Sequence, residues 1–325
     1  MIRLLRAELL RLRSRKLTWI ALAAVLLVVG LTQIAVYTSV RPLTATEQAQ
    51  AQGQFQQAQR EYEQNKDRNE QDVQDCMAQG HPREDCDYAP KLEEFAQRTV
   101  STFEEMATLS VTVTAFVSAL GLLLLSASMV GAEFSSGAMS NWLTFIPTRT
   151  RVYVSKLLSL LLGGVAATAV VTALAIGLSA LLTRIAGADV TSVGAAAATG
   201  GRGLLLAAIA VVVGFTLAML TRHTIAAAGA VLGYLFLSFV LQIVMGAPPS
   251  LQAIKKLQPE LNALAVLDHG YRYVDYVNTM GPDGQYNYTE TPHVITFGES
   301  SLYWAVVLLV LLAASYLAFR RRDLS

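Results

Sequence analysis

Residues 131–156 decide how this chain is organised, and they read GAEFSSGAMSNWLTFIPTRTRVYVSK. The stretch lies between two long apolar runs but is too polar and too broken to cross a bilayer. Ser140 or Asn141 can cap a short helix, and Pro147 can end one. Its apolar side chains are Phe134, Trp142, Leu143, Phe145 and Ile146, and its later basic side chains are Arg149, Arg151 and Lys156. Basic residues in such positions mark where a following span leaves the lipid. We interpret the stretch as a short amphipathic helix at a membrane face, where a soluble protein can dock.

The spacing of glycine, acid, proline and base in this stretch resembles that of a known loop. The pattern Gly131-x-Glu133-x-x-x-Gly137, then Leu143, Pro147-x-Arg149 and Lys156, is similar to the first cytoplasmic loop of ABC-2-type transporter permeases. Ala138 stands where that family often has Thr. The resemblance implies a coupling helix that seats in a groove of a separate ATPase subunit. The alternative is an ordinary interfacial loop whose aromatic side chains anchor in the lipid headgroups.

The resemblance assigns the contact with the ATPase to six residues, which are Glu133, Phe134, Trp142, Leu143, Arg149 and Arg151. The aromatic and leucine side chains are expected to fill the groove, because aromatic anchors dominate protein interfaces. Glu133 is expected to pair with Arg149, with Arg151 or with a basic residue of the partner. A solvated charge at a helix end is the alternative for Glu133. Gly131 and Gly137 permit close backbone approach.

The composition places the whole chain in a membrane. Of the 325 residues, 53% are apolar and only 15% are charged, and the apolar residues occur in long runs. Six spans are predicted, at residues 17–40, 106–130, 157–182, 204–220, 225–245 and 302–319. The second span is rich in Ser, Thr, Ala and Gly, which favours close helix packing. We therefore expect an all-α membrane protein with six transmembrane helices and both termini on one side.

The basic residues are concentrated in the segments that six spans would place on a single side. That side holds 13 Lys and Arg residues against three acidic ones, and the other side holds 12 basic and 21 acidic residues. The positive-inside rule makes the first side cytoplasmic. Residues 131–156 then form the cytoplasmic coupling loop. The net charge of +1 gives no indication of a nucleic-acid partner, and none is expected.

Residues 1–16 belong to the same basic side. Leu4, Leu5, Leu9 and Leu12 recur there at helical spacing among five arginines. This pattern is typical of a basic amphipathic helix that lies in the headgroup plane. Permeases of the resembled family begin with such an elbow helix. The alternative is a plain positive flank of the first span.

Residues 41–105 form the first large segment on the outer side. The sequence from Thr44 to Glu47 fits a capping box. Apolar stripes before and after a loop near residue 80 predict two antiparallel helices that extend from the first and second spans. Disorder is the alternative for the Gln-rich part of this segment.

The chain has two cysteines, and both lie near the loop of this outer hairpin. Cys76 and Cys86 therefore predict a disulfide on the oxidising side of the membrane. A metal site is the alternative, and its ligands would be the two cysteines with His81 and with Asp85 or Asp87.

Two further outer segments follow. Residues 184–203 are rich in Gly and Ala and predict a flexible loop. In residues 246–300, apolar residues recur at helical spacing from Leu251 to Leu267 and predict an amphipathic helix. Five tyrosines and a Gly-Pro turn signal come next, and the tyrosines are Tyr271, Tyr273, Tyr276, Tyr286 and Tyr288. We interpret this segment as an outer lid with interfacial tyrosines, and substrate contact is the alternative.

The sequence lacks the common motifs of catalysis and of energy coupling. It contains no Gly-x-x-x-x-Gly-Lys-Ser/Thr and no His-Glu-x-x-His. No predicted span carries a carboxylate or a histidine near its middle, where ion-coupled carriers usually place one. We therefore expect a protein that is not an enzyme and holds no cofactor of its own.

The resemblance implies a permease subunit of an ABC transporter in a bacterial inner membrane, surrounded by membrane lipid. ATP and Mg would then reside on a partner ATPase subunit, and a second permease copy, identical or related, would complete the path. The uncharged spans favour export of an amphiphilic or hydrophobic substrate. The alternative is a non-transporting scaffold or signalling subunit whose outer hairpin binds an extracellular partner. A cavity between the second and fifth spans would favour the permease.

Overall fold

The chain folds mostly into helices, as its composition predicted. The computed structural model describes residues 2–78, 82–86, 88–95, 100–145, 148–245, 255–280 and 286–321. The helices are α1 (Ile2–Ser14), α2 (Lys16–Val40), α3 (Ala45–Gln64), α4 (Lys66–Ala78), α5 (Arg83–Cys86), α6 (Phe103–Ser135), α7 (Ala138–Phe145), α8 (Arg149–Ile185), α9 (Val193–Thr221), α10 (Thr224–Met245), α11 (Pro259–Leu267) and α12 (Phe297–Arg321). Two strands, β1 (Gly270–Met280) and β2 (Tyr286–Thr296), lie between α11 and α12.

Within the described part of the chain, five helices are long and apolar enough to cross a membrane. They are α2, α6, α8, α9 and α12. The apolar stretch described in α10, Thr224–Val240, is shorter. The chain is therefore a multi-pass membrane protein, and the sixth span stays a prediction.

Helix α9 is the most buried of these spans, and α12 is the least buried. Small residues allow α9 to lie close to α6. A Cβ added to Gly203 would lie 2.9 Å from the Cβ of Ala115, and one added to Gly214 would lie 2.2 Å from the carbonyl oxygen of Leu123. In a membrane the hydrophobic effect contributes little to the association of helices, because lipid tails are as apolar as the side chains. Close van der Waals contact of this kind is therefore a main source of helix association.

A buried glutamine joins three spans within the bundle. The Gln33 amide nitrogen in α2 donates to the Ser110 hydroxyl in α6 at 3.0 Å and to the Ala175 carbonyl in α8 at 3.5 Å. The Ser179 hydroxyl donates to the Gln33 amide oxygen at 3.0 Å. Because both ends of this amide are paired, Gln33 acts as a helix-to-helix tie.

Helix α1 and the C-terminus of α12 lie at the same end of the bundle. The Arg149 guanidinium at the start of α8 donates to the Phe319 carbonyl in α12 at 3.0 Å. Lys156, two turns into α8, contacts Glu8 of α1. Helix α7 also lies here, between α6 and α8. We call this end the basic end, and the predicted coupling loop lies within it.

At the opposite end, the hairpin formed by residues 41–105 begins with two helices, α3 and α4. The predicted capping box begins α3, where the Glu47 amide donates to the Thr44 hydroxyl and the Glu47 carboxylate accepts from the Thr44 amide. Hydrogen bonds from Arg41, and then from Thr44, lower the pKa of Glu47 to about 2.

The return half of this hairpin differs from the expectation. Residues 88–91 and 100–102 are not helical, and Leu92–Phe95 form a short 3₁₀ turn. The expected second long helix therefore does not run into the second span. Residues 79–81 and 96–99 lie outside the described part. A capping box formed by Thr102 and Glu105 begins α6 at Phe103. The Thr102 hydroxyl accepts a hydrogen bond from the Glu105 amide, which fixes the start of the helix there.

A disulfide joins Cys76 at the end of α4 to Cys86 in α5, with a Cα–Cα distance of 5.8 Å. Both sulfur atoms are thus used in the bridge. The other members of the alternative metal set, His81, Asp85 and Asp87, lie outside the described side chains.

We expect replacement of both cysteines by serine to destabilise α4 and α5 locally. Closing a loop of this length stabilises by about 2–3 kcal/mol in the chain-entropy model. Amide hydrogen exchange in α4 should therefore accelerate strongly, whereas exchange in the buried α9 should not change. Unchanged protection of α4 in the double variant would contradict this role of the bridge.

The segments that precede α9 and α11 also differ from expectation. Helix α9 begins at Val193 and not near residue 204, because the run of alanines after it is strongly helix-forming. The connector before it is therefore short. Helix α11 begins at Pro259, a residue suited to the first helical position, and residues 251–254 of the predicted helix lie outside the described part.

The predicted tyrosine-rich lid contains an antiparallel β-hairpin. Gly270 pairs with Thr296, and the register continues to Met280 opposite Tyr286. The turn signal at residues 281–285 lies outside the described part. Tyr271 and Tyr273 recur at a spacing of two, which is the period of a strand and not of a helix. The structure is therefore mostly helical with one two-stranded sheet.

Candidate functional site

A cluster of four charged side chains lies at the basic end. Glu8 and Arg11 come from α1, Glu133 from α6 and Lys156 from α8. The Lys156 ammonium lies 2.8 Å from a Glu8 carboxylate oxygen and 2.5 Å from a Glu133 carboxylate oxygen. The Arg11 guanidinium lies 3.0 Å from Glu133 and 3.7 Å from Glu8. We call these four residues the charge cluster.

The charge cluster is almost completely buried. The side chains of Glu8 and Glu133 are 2% exposed and that of Lys156 is 3% exposed, whereas Arg11 is 34% exposed at the edge. Two acids face two bases, so the cluster is electrically neutral. Such a group is costly to desolvate, but removal of one member leaves an uncompensated buried charge. The cluster therefore joins α1, α6 and α8 through buried ion pairs.

Helix α7 lies against this cluster through Trp142. The Arg11 guanidinium carbon is 5.4 Å from the centre of the Trp142 ring, and the Lys156 ammonium is 5.5 Å from it. Both distances fit cation–π contact. Met139 of α7 is also buried, and Leu143 packs against the core at the basic end. The helix is therefore fixed to the bundle by its inner face.

The bounds of α7 differ from the sequence expectation. Ser140 and Asn141 were expected to cap the helix, but both lie within it, because α7 already begins at Ala138. Gly137 makes the turn after α6 with φ of +69°, a conformation that glycine adopts without steric cost. The helix can thus restart immediately after α6. Pro147 lies outside the described residues.

The ion partners of Glu133 are Arg11 and Lys156, and not Arg149 or Arg151. Arg149 instead donates to carbonyl oxygens at the end of α12, those of Phe319 and Arg320. Free carbonyls at a helix C-terminus favour such a cation. Arg151 is exposed. Of the two predicted arginines, Arg151 is thus the more accessible to a partner.

Phe134 packs inward. Its ring lies edge-on to the Phe319 ring at a centroid distance of 6.5 Å, and the Arg222 guanidinium lies 5.9 Å from its centre. In contrast, Phe145 at the end of α7 is 85% exposed. The chain therefore leaves Phe145 uncovered, whereas Phe134 packs against the core at the basic end.

Gly131 allows α6 to touch the start of α10. A Cβ at this position would lie 2.4 Å from the amide nitrogen of Thr224. The predicted close approach of the backbone is thus present at Gly131, whereas the role of Gly137 is conformational.

Glu8 and Arg11 were not among the predicted site residues. The signal for Glu8 was present in the sequence, because it is the single acid among the first 16 residues and lies one helical turn from Leu4 and from Leu12. An acid on the apolar face of a basic helix indicates a buried partner. Its buried partner Lys156 lies 148 residues away in the chain, so the sequence pattern did not identify that pair.

The model of a family described as ABC-2 family transporter protein matches residues 2–324. No curated protein and no solved structure matches the chain. Subunits of this family lie in the membrane and normally work with an ABC ATPase. A match over nearly the whole length, together with several membrane-crossing helices, shows that the chain belongs to the ABC-2 family of transporter proteins.

Proposed function

We propose that this permease subunit receives its energy through α7, which docks on a separate ATPase subunit at the cytoplasmic face. The observation that carries the proposal is the two-sided character of α7. One side is fixed to the charge cluster through Trp142, and the other side leaves Asn141, Thr144 and Phe145 exposed. A helix held on one side and open on the other is suited to transmit a push.

The contacts between α7 and the charge cluster determine which helices a displacement of α7 would move. Trp142 lies against Arg11 and Lys156, which in turn bind Glu8 and Glu133. A displacement of α7 therefore acts on α1, α6 and α8 together as a packed unit. ATP and Mg on the ATPase would drive this displacement, because they would bind more tightly to one of two arrangements of the ATPase and permease subunits.

Phe145 is the proposed anchor in the ATPase groove. Large aromatic side chains dominate the binding energy of interfaces, and Phe145 is the most exposed of the loop's described aromatic residues. Trp142 and Leu143 are half-buried and add their remaining surface. Arg151 lies nearby for an acidic residue of the partner. Glu133 acts from within, by holding Arg11 and Lys156 under Trp142.

The exposed lateral faces of the spans are suited to contact with lipid and with a second permease copy. Apolar side chains of α2 and α10 are largely exposed, among them Leu27, Ile34, Phe236 and Phe239. In a membrane protein such faces contact lipid tails or another subunit. The proposed transporter contains two permease chains and exports an amphiphilic or hydrophobic substrate.

We expect Phe145→Ala to reduce ATPase capture by about thirtyfold or more, because loss of an anchoring aromatic costs about 2 kcal/mol or more. The tagged chain would be purified from its source cells in mild detergent. Co-purifying chains that carry a Gly-x-x-x-x-Gly-Lys-Ser/Thr motif would then be quantified. Because Phe145 is 85% exposed, the variant should fold normally.

Ile225→Ala is the matched control. Ile225 is 87% exposed and lies at the same end of the bundle, next to the Thr224 that touches Gly131. Its truncation should leave capture unchanged. If no P-loop ATPase accompanies the wild-type chain, the scaffold alternative gains and the coupling proposal fails.

A further inference from the structure

An apolar cavity of about 370 Å³ lies within the bundle, and no residue of the charge cluster lines it. Its walls come from α6, α9, α10, α11 and α12, with Phe116, Leu123, Val213 and Trp304 among them. This volume falls in the range of small-molecule sites, about 300–1,000 Å³. The cavity therefore has room for one ligand of moderate size.

One acidic side chain lies among the lining residues of this cavity. Glu260, in the first turn of α11, accepts hydrogen bonds from the Tyr234 and Ser238 hydroxyls of α10. Among the described residues, no basic side chain forms an ion pair with Glu260. Each carboxylate oxygen can accept about two hydrogen bonds and accepts one of these. Each oxygen therefore keeps a lone pair for a further donor. Glu8 and Glu133, by comparison, each face two cations.

We infer that this cavity binds a cationic amphiphile, with its apolar body among the aliphatic walls and its ammonium group at Glu260. A carboxylate in an apolar surrounding is stabilised by a nearby cation and repels an anion. The aromatic rings of Tyr234 and Trp304, which also line the cavity, favour an ammonium group. The inference deepens the proposed function, on which it rests, by naming the charge of the substrate class.

The test uses the purified chain in nanodiscs of phosphatidylcholine. Binding of decyltrimethylammonium is measured by titration calorimetry, with empty discs subtracted, and decanol serves as the neutral ligand of equal chain length. We expect saturable binding of the cation. Glu260→Gln should weaken it by about tenfold or more and should leave decanol binding unchanged, because the amide keeps the size and loses the charge.

Two further variants make the result specific. Glu290→Gln removes an acidic charge from an exposed position in β2, outside the cavity, and should not change binding. Ala230→Phe adds a ring at a cavity wall and should weaken both ligands. Equal affinity of wild type and Glu260→Gln for the cation, full binding in Ala230→Phe, or no binding above empty discs would overturn the inference. The discs contain no ATPase, so this outcome is independent of the capture experiment.

Discussion

Lys156→Met is expected to destabilise the chain by about 3–5 kcal/mol, one of the two largest effects that the structure predicts. Lys156 is 3% exposed, and its ammonium contacts carboxylates from α1 and α6. Without it, Glu8 and Glu133 remain buried with Arg11 as their single cation. The variant should melt at a lower temperature and lose monodispersity in detergent, which size-exclusion chromatography of heated samples measures.

Two matched variants separate charge balance from loss of size. Arg151→Met removes a base from the exposed face of the same helix and should change stability by about 0.5 kcal/mol or less. The double variant Glu8→Gln/Lys156→Met leaves the Arg11–Glu133 pair at 3.0 Å and restores neutrality. It should therefore be more stable than Lys156→Met alone. If Lys156→Met matched Arg151→Met, the charge cluster would have no structural role.

The second large effect is expected for Gly214→Ala. The added Cβ would lie 2.2 Å from the Leu123 carbonyl oxygen and 2.3 Å from the Ser126 hydroxyl oxygen. The hydroxyl can rotate away, but the carbonyl is part of the α6 backbone, so α6 and α9 must separate. Overpacking of this kind typically costs about 1–3 kcal/mol, and a backbone collision belongs at the upper end. A lower yield of folded protein and a lower melting temperature should result.

Gly201→Ala provides the control in the same helix. A Cβ at Gly201 would meet no atom within 4 Å. Alanine also favours a helix over glycine by up to about 1 kcal/mol, so this variant should be neutral or slightly more stable. Equal stability of the two variants would show that α6 and α9 are not in close contact at Gly214.

Much of the architecture followed from the order of apolar and charged residues. The bounds expected for the first span agree with α2, and the five apolar helices fall on predicted spans, because a stretch in lipid must be apolar and must satisfy its own backbone. Residues 193–203 and the β-hairpin differ from the sequence prediction, because alanine-rich loops and helices have the same composition and tyrosines also occur in interfacial loops. The coupling role of the loop stays a prediction.

The sequence by itself determined the class of protein, the positions of the apolar spans and the place of the short helix between two of them. These depend on composition and period along a local stretch, and the bilayer leaves few other solutions. The tertiary structure alone decided that Glu133 binds Arg11 and Lys156, that Phe134 faces inward while Phe145 faces out, and that Glu260 lines a cavity. Burial and pairing of a side chain depend on groups far away in the chain, which only the packing of the helices brings together.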